Sequence, residues 1–306
     1  MNPALPQKKG KWLTALSVYT RPRVVGMVFL GFAAGLPFLL VFTTLSAWLT
    51  EASVSRSTIG FFSWVGITEH TPPPSEDLLY DDERDAGLTP DYLLAQFGSY
   101  FDECRRLRDK YRSQITLYAA MEIETYTGYE HYVPFLVELF SPDYLVGSVH
   151  FVNDINFDYS PQVYDRAAQS AGGINDLYLS YFDLQYEMIN LLEPSVVGHF
   201  DLIRIYDPVY RDRLEQPEIA ARIKRNLRRI KELELILDLN LRALHKGASE
   251  PYVSESILRM VREYEISIAP GDDSHGVASV GNFFEQGVSV VSAHEISTDW
   301  PLPRRG

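Results

Sequence analysis

Residues 144–151 read YLVGSVHF, a short apolar run, partly β-branched, that ends on a histidine. Its length and composition suit a buried strand better than a helix. Four runs resemble it: ITLYAAMEI (115–123), SVVGHF (195–200), LILDL (235–239) and ISIA (266–269). Helical patterns lie between them. Thr89 can cap a helix with Pro90 at its first position. Leu94, Phe97, Phe101, Cys104 and Tyr111 then share one face, so Cys104 reads as a core residue. Pro217 starts a second helix, with Ile219, Ile223, Leu227 and Ile230 inside and a basic, solvated face outside. Val253–Tyr264 gives a third. Strand-then-helix repetition implies an α/β fold, a parallel sheet covered by helices. Closed on itself it is a (β/α) barrel, whose active site belongs at the C-terminal ends of the strands.

The chain has seven histidines, and four stand at such ends. They occur in Thr68-Glu69-His70, Gly147-Ser148-Val149-His150, Gly198-His199-Phe200-Asp201 and Gly271-Asp272-Asp273-Ser274-His275. Glu122 adds a carboxylate near the end of its own strand. Asp273 and His275 are two apart, so an extended backbone would send both to one side. His70, Glu122, His150, His199, Asp273 and His275 are therefore the candidate metal ligands. Imidazole and carboxylate suit Zn²⁺, Fe²⁺ or Mn²⁺, and a carboxylate can bridge two ions. Such a pair polarises a phosphoryl oxygen and clamps attacking and leaving groups. The reading is a multi-metal hydrolase. His131 and His294 read as surface residues, and Tyr126 and Tyr129 as rim packing.

Charge divides the chain in two. Residues 1–67 carry a net of +5 against −13 for the whole, so the remainder holds −18. An acidic body argues against a basic nucleic-acid face. The single cysteine excludes an internal disulfide framework. Val24–Thr50, 27 residues, contains no charge. A bilayer needs ~20 apolar residues, so 24–50 is a candidate transmembrane helix. The preceding Lys/Arg cluster would keep the N-terminus cytoplasmic. GFAAGLPFLLVFTTLSAWLT (31–50) and TIGFFSWVG (58–66) resemble the start of a muropeptide permease of the major facilitator superfamily. The likeness stops near Gly66, and a transport path cannot be built from one helix and a stub.

Residues 68–285 resemble histidinol-phosphatases of the polymerase-and-histidinol-phosphatase (PHP) superfamily. The stretches that carry this are TEHTPPPSEDLLYDDERDAGLTPDYLLAQF (68–97), GSVHFVNDINFDYS (147–160), GHFDLIRIYD (198–207), LNLRALHKGASEPY (239–252) and GDDSHG (271–276). The resemblance implies a distorted (β/α)7 barrel holding up to three divalent metals. It implies hydrolysis of L-histidinol phosphate, in histidine biosynthesis, by a cytoplasmic protein. It assigns the six ligands above to metal, Arg204 to the substrate phosphate, and His245 to a substrate contact where the family commonly has arginine. Members of the family begin with a strand ending in His-x-His. This chain has no histidine before His70, so that first strand is missing and a permease-like segment stands in its place. The expected organisation is a permease-like segment with a membrane helix (1–67), a phosphatase domain (68–285) and a tail (286–306). The alternative is an inactive, membrane-tethered metal-binding remnant or fusion product.

Overall fold

The structure, a computed structural model, describes residues 64–275 and 279–304. The expected membrane helix at 24–50 lies outside them. No helix among the described residues is long and apolar enough to cross a membrane. His275 apart, the described residues form one compact unit.

The unit opens on strand β1 (Trp64–His70), followed by helices α1 (Asp81–Asp85) and α2 (Pro90–Tyr111). Thr89 Oγ1 accepts the Tyr92 N–H at 3.3 Å, the cap that the sequence announces. Phe97, Tyr100, Phe101, Cys104 and Leu107 form the buried stripe of α2. Strand β2 (Thr116–Ile123) runs parallel to β1, in a register that sets His70 beside Glu122. The Tyr100 hydroxyl lies 2.6 Å from the carbonyl oxygens of Ile67 and Ala120, tying α2 to both strands. Next come α3 (Tyr129–Phe140), β3 (Leu145–Gly147) and a small hairpin, β4 (Phe151–Val152) and β5 (Ile155–Asn156). Asn153 and Asp154 turn that hairpin in left-handed backbone, at φ 53° and 57°.

Helices α4 (Pro161–Ala171) and α5 (Ile174–Leu192) lead to β6 (Val196–Val197). Then follow α6 (Tyr210–Leu214), α7 (Pro217–Glu232), β7 (Ile236–Asn240), α8 (Arg242–His245), α9 (Glu255–Glu263), β8 (Ser267–Gly271) and α10 (Phe284–Ala293). The outer face of α7 is more than solvated surface. Arg222 and Arg225 both bind the Asp183 carboxylate, and Arg229 reaches Asn190, so α7 is clasped to α5.

The main sheet has the order β1-β2-β3-β6-β7-β8, and every neighbouring pair is parallel. It is a half-barrel: among the described residues the outer strands β1 and β8 do not pair with each other. The strands expected over 144–151 and 195–200 stop early, at Gly147 and Val197. The last bond between them runs from the Gly198 N–H to the Gly147 carbonyl, at 2.9 Å. Beyond it the chain leaves the sheet, which frees each following histidine from strand alternation. Two expected boundaries fall inside elements. β1 begins at Trp64, so it includes the end of the permease-like segment, and α10 spans residues 285 and 286.

Candidate metal centre

His70 is the last residue of β1, and Glu122 stands opposite it on β2. His150 lies three residues past β3, and His199 two past β6. All four side chains converge. Glu122 Oε1 is 2.9 Å from His199 Nε2 and 3.6 Å from His150 Nε2, while Oε2 is 3.7 Å from His70 Nε2. His150 Nε2 and His199 Nε2 are 3.1 Å apart. Glu122, His150 and His199 are buried, and His70 is the more open member.

Glu124, not selected from the sequence, belongs here as well. Its Oε1 is 3.0 Å from His70 Nδ1 and 3.9 Å from His150 Nδ1. A signal was present: Glu124 directly follows β2 and is two residues from Glu122, the spacing that extended backbone sends to one side. Two ligand groups result, His70–Glu124–His150 and Glu122–His150–His199. A neutral imidazole has one lone pair and one N–H, so His150 can serve only one of them as a neutral ligand. Glu122, with an oxygen toward each side, is the group able to bridge.

The residues fit divalent cations. The Nδ1 atoms of His150 and His199 are buried without a hydrogen-bond partner among the described residues. Two ring nitrogens 3.1 Å apart would set lone pair against lone pair unless a proton or a cation intervenes. Supporting groups hold the ligands. Ser148 Oγ donates to Glu122 Oε1 at 2.6 Å. Asp238 Oδ2 accepts the His199 N–H at 3.3 Å and Asn240 Nδ2–H at 3.0 Å. A Cβ at position 271 would overlap Asp238 Oδ1. Gly271→Ala should therefore displace Asp238 and cost about 1–3 kcal/mol as an overpacking change. Urea unfolding checks this, and an unchanged midpoint would show that Asp238 moves aside freely.

Charge completes the picture. Burial pulls down the pKa of His70, but the Glu122 and Glu124 carboxylates outweigh it and hold it well above the usual histidine value. His199 is likewise raised, against burial, by its bond to Glu122. His150 is pushed well down by burial and by the charges of His199 and His70. Burial raises Glu122, yet the three histidines bring it well below the usual range. Burial lifts Asp238 and Glu69 to about 7.

These shifts fix a pH dependence for the metal-free protein. Raised histidines contribute stability that is complete below the ordinary histidine pKa and is lost as pH rises through the folded value. Asp238 and Glu69, raised, lose stability between the ordinary carboxylate range and about 7. His150 opposes this, and the contribution of Glu122 is already complete above the ordinary carboxylate value. The EDTA-treated protein should lose thermal stability from about pH 5 to about pH 8, while the increment from added Mn²⁺ grows because the cation takes deprotonated ligands. Melting curves across that range test both slopes, and parallel curves with and without Mn²⁺ would contradict the assignment.

The remaining sequence candidates are placed differently. Asp273 has φ 48°, a left-handed residue, so the extended backbone expected over 273–275 is not formed. Its Oδ2 accepts from Asn240 Nδ2 at 3.3 Å, at the end of β7. His275 is exposed and stands in neither ligand group found among the described residues. Arg204 is buried. Its Nε donates to Asp201 Oδ2 at 3.1 Å, and Nη2 to the Pro251 carbonyl at 2.7 Å. Its guanidinium carbon sits 4.7 Å from the Tyr210 ring and 4.5 Å from the Tyr252 ring. His245 is exposed at the end of α8, its ring 6.4 Å from that of Phe283. Burial raises the nearby Asp158 carboxyl to about 6, against the opposing pull of His199 and Lys246.

A parallel half-barrel with imidazoles and carboxylates gathered past its C-terminal strand ends defines a metal-ion hydrolase scaffold. Residues 57–242 match the PHP domain model, and the chain belongs to the PHP domain family. A histidinol-phosphatase relative in Schizosaccharomyces pombe is 34% identical over 235 residues, 72% of this chain and 73% of that protein. A solved histidinol phosphatase-type structure from Listeria monocytogenes superposes with a TM-score of 0.66 at 24% identity, over 76% of this chain and 91% of the other. The Lactococcus lactis histidinol phosphate phosphatase, solved with Zn, L-histidinol and phosphate, gives 0.58 at 17% identity, over 81% and 89%. Separately, 51 residues are 47% identical to the anhydromuropeptide permease of Escherichia coli, 17% of this chain and 10% of that protein.

Proposed function

We propose that this chain is a metal-dependent phosphomonoesterase that hydrolyses L-histidinol phosphate to L-histidinol and inorganic phosphate, a step of histidine biosynthesis. The observation that carries the reading is the bridging position of Glu122, between His70 on one side and His150 and His199 on the other. The similarity to histidinol-phosphatases supports the choice of substrate. In this reading the described residues form a (β/α)7 barrel without its first strand, and the phosphatase domain, expected over 68–285, takes in the whole of β1 and α10.

His70, through one ring nitrogen only, with Glu122, Glu124, His150 and His199 would hold a pair of divalent cations; Zn²⁺, Mn²⁺ and Fe²⁺ all suit this set. When bound, such a pair supplies a hydroxide at neutral pH and neutralises the phosphoryl oxygens. Ser148 fixes the plane of Glu122, and Asp238 fixes the backbone of His199. Asp273 is a proposed further ligand, approached through Asn240. His275 stays a proposed ligand, and His245 a proposed substrate contact, on their motifs alone. The Nη1 end of Arg204 is the part not engaged in its hydrogen bonds with Asp201, Glu250 and Pro251.

The test is phosphate release from L-histidinol phosphate by the full chain supplied with Mn²⁺, with Glu122→Gln as control. Turnover above the control supports the reading. A folded, Mn²⁺-binding protein without turnover would favour the metal-binding remnant that the missing His-x-His motif suggests.

A further inference from the structure

Tyr80 stands between two features that the metal centre does not itself explain. One is the segment TPPPSEDLLY (71–80), which leaves His70 at the end of β1 and returns to the same end of the sheet. The other is Glu124. The Tyr80 hydroxyl donates to Glu124 Oε1, the oxygen that also faces His70 Nδ1 at 3.0 Å. The ring of Tyr80 lies parallel to that of Phe151, with an interplanar angle of 8° and centroids 6.1 Å apart. Its backbone N–H donates to Glu83 Oε2 at 2.9 Å, capping α1. Tyr80 is thus fixed at ring, backbone and hydroxyl, and only the hydroxyl points to the ligands.

A glutamate ends in a torsion that is broad and roughly two-fold, so packing of its chain does not define the plane of its carboxylate. A hydrogen bond does. Tyr80 donates to Oε1, the same oxygen that faces His70 Nδ1 at 3.0 Å and His150 Nδ1 at 3.9 Å, so the tyrosine hydroxyl bears on the Glu124 oxygen turned toward both imidazoles. We propose that Tyr80 is the positioning residue of the His70–Glu124–His150 group: its hydroxyl sets the Glu124 carboxylate for cation binding. The proposal rests on the metal-centre reading above. Outer-shell partners of this kind typically change metal affinity by about 10–100-fold when removed.

The experiment is a Mn²⁺ titration of the full chain, followed by the EPR signal of the free ion, for the parent, Tyr80→Phe, Glu124→Gln and the double variant. Tyr80→Phe keeps the stacked ring and removes one oxygen. The expected result is about 10–100-fold weaker binding in one class of site, with the other class within about twofold. In the Glu124→Gln background the further effect of Tyr80→Phe should vanish, which a merely structural tyrosine would not produce. Unchanged affinity in Tyr80→Phe, or equal loss in both classes, would overturn the proposal. So would a loss that persists in the double variant. If Glu124→Gln fails to fold, the split between the two classes in Tyr80→Phe decides alone. A parent that binds no Mn²⁺ would overturn the metal reading itself, an outcome distinct from a parent and variant that bind alike.

Discussion

Replacing Glu122 by glutamine is expected to cut phosphate release by about three orders of magnitude and leave the fold intact. The amide keeps the shape and the bond from Ser148 while removing the one buried charge that faces His70, His150 and His199 together. A metal pair supplies several kcal/mol of transition-state charge stabilisation. At about 1.4 kcal/mol per tenfold, losing its bridge corresponds to roughly a thousandfold. Mn²⁺ affinity should fall with it, and the raised pKa values of His70 and His199 should return toward the ordinary one. The check is initial-rate phosphate release together with near-ultraviolet circular dichroism. A variant within tenfold of the parent would mean that the reaction, if any, proceeds elsewhere.

Arg204→Ala is expected to destabilise the protein by about 3–5 kcal/mol, the usual cost of leaving a buried charge uncompensated. Asp201 is 0% exposed, and its Oδ2 accepts from Arg204 Nε and from both the backbone and the hydroxyl of Ser254. Oδ1 has no partner among the described residues, so Arg204 is the counter-charge that makes this burial tolerable. The same guanidinium is packed against Tyr210 and Tyr252 and bonded to the carbonyl of Pro251. It therefore joins the turn after β6, which carries His199, to the segment that leads into α9. Arg204→Lys keeps the charge but loses the planar fork, and should fall between parent and alanine variant. Urea unfolding measures both. A loss below about 1 kcal/mol would make the strut a surface-like pair and return Arg204 to a role at the substrate alone.

Much of the centre was legible because its chemistry repeats with the fold. His70, Glu122, His150 and His199 each follow a β-branched or apolar run, and a parallel sheet must bring such run ends to one side. Glu124, one residue past the end of β2, carries only its two-residue spacing from Glu122 and no histidine motif to mark it. Asp238 and Tyr80 were not legible. Their roles depend on contacts across 39 and 44 residues of sequence, which no local pattern encodes. The extended backbone expected over 273–275 is not formed, for a local reason: Asp273 is left-handed, and alternation holds only in extended backbone. The strands end at residues 147 and 197, short of their apolar runs, because apolar composition continues where hydrogen bonding stops. The basic face of α7 looked idle in sequence because Asp183, its main acceptor, belongs to a different helix.

β1 is an outermost strand, hydrogen-bonded to β2 alone among the described residues, and it ends on His70. Edge segments ordinarily open first, well before a whole domain does. A cation shared by His70, Glu122 and the histidines beyond would rivet that edge to the middle of the sheet. Metal supply would then govern the lifetime of the polypeptide as well as its chemistry. A chain starved of metal would expose the backbone around Trp64 to proteases first, so turnover of the protein in a cell would report on the availability of the ion it needs.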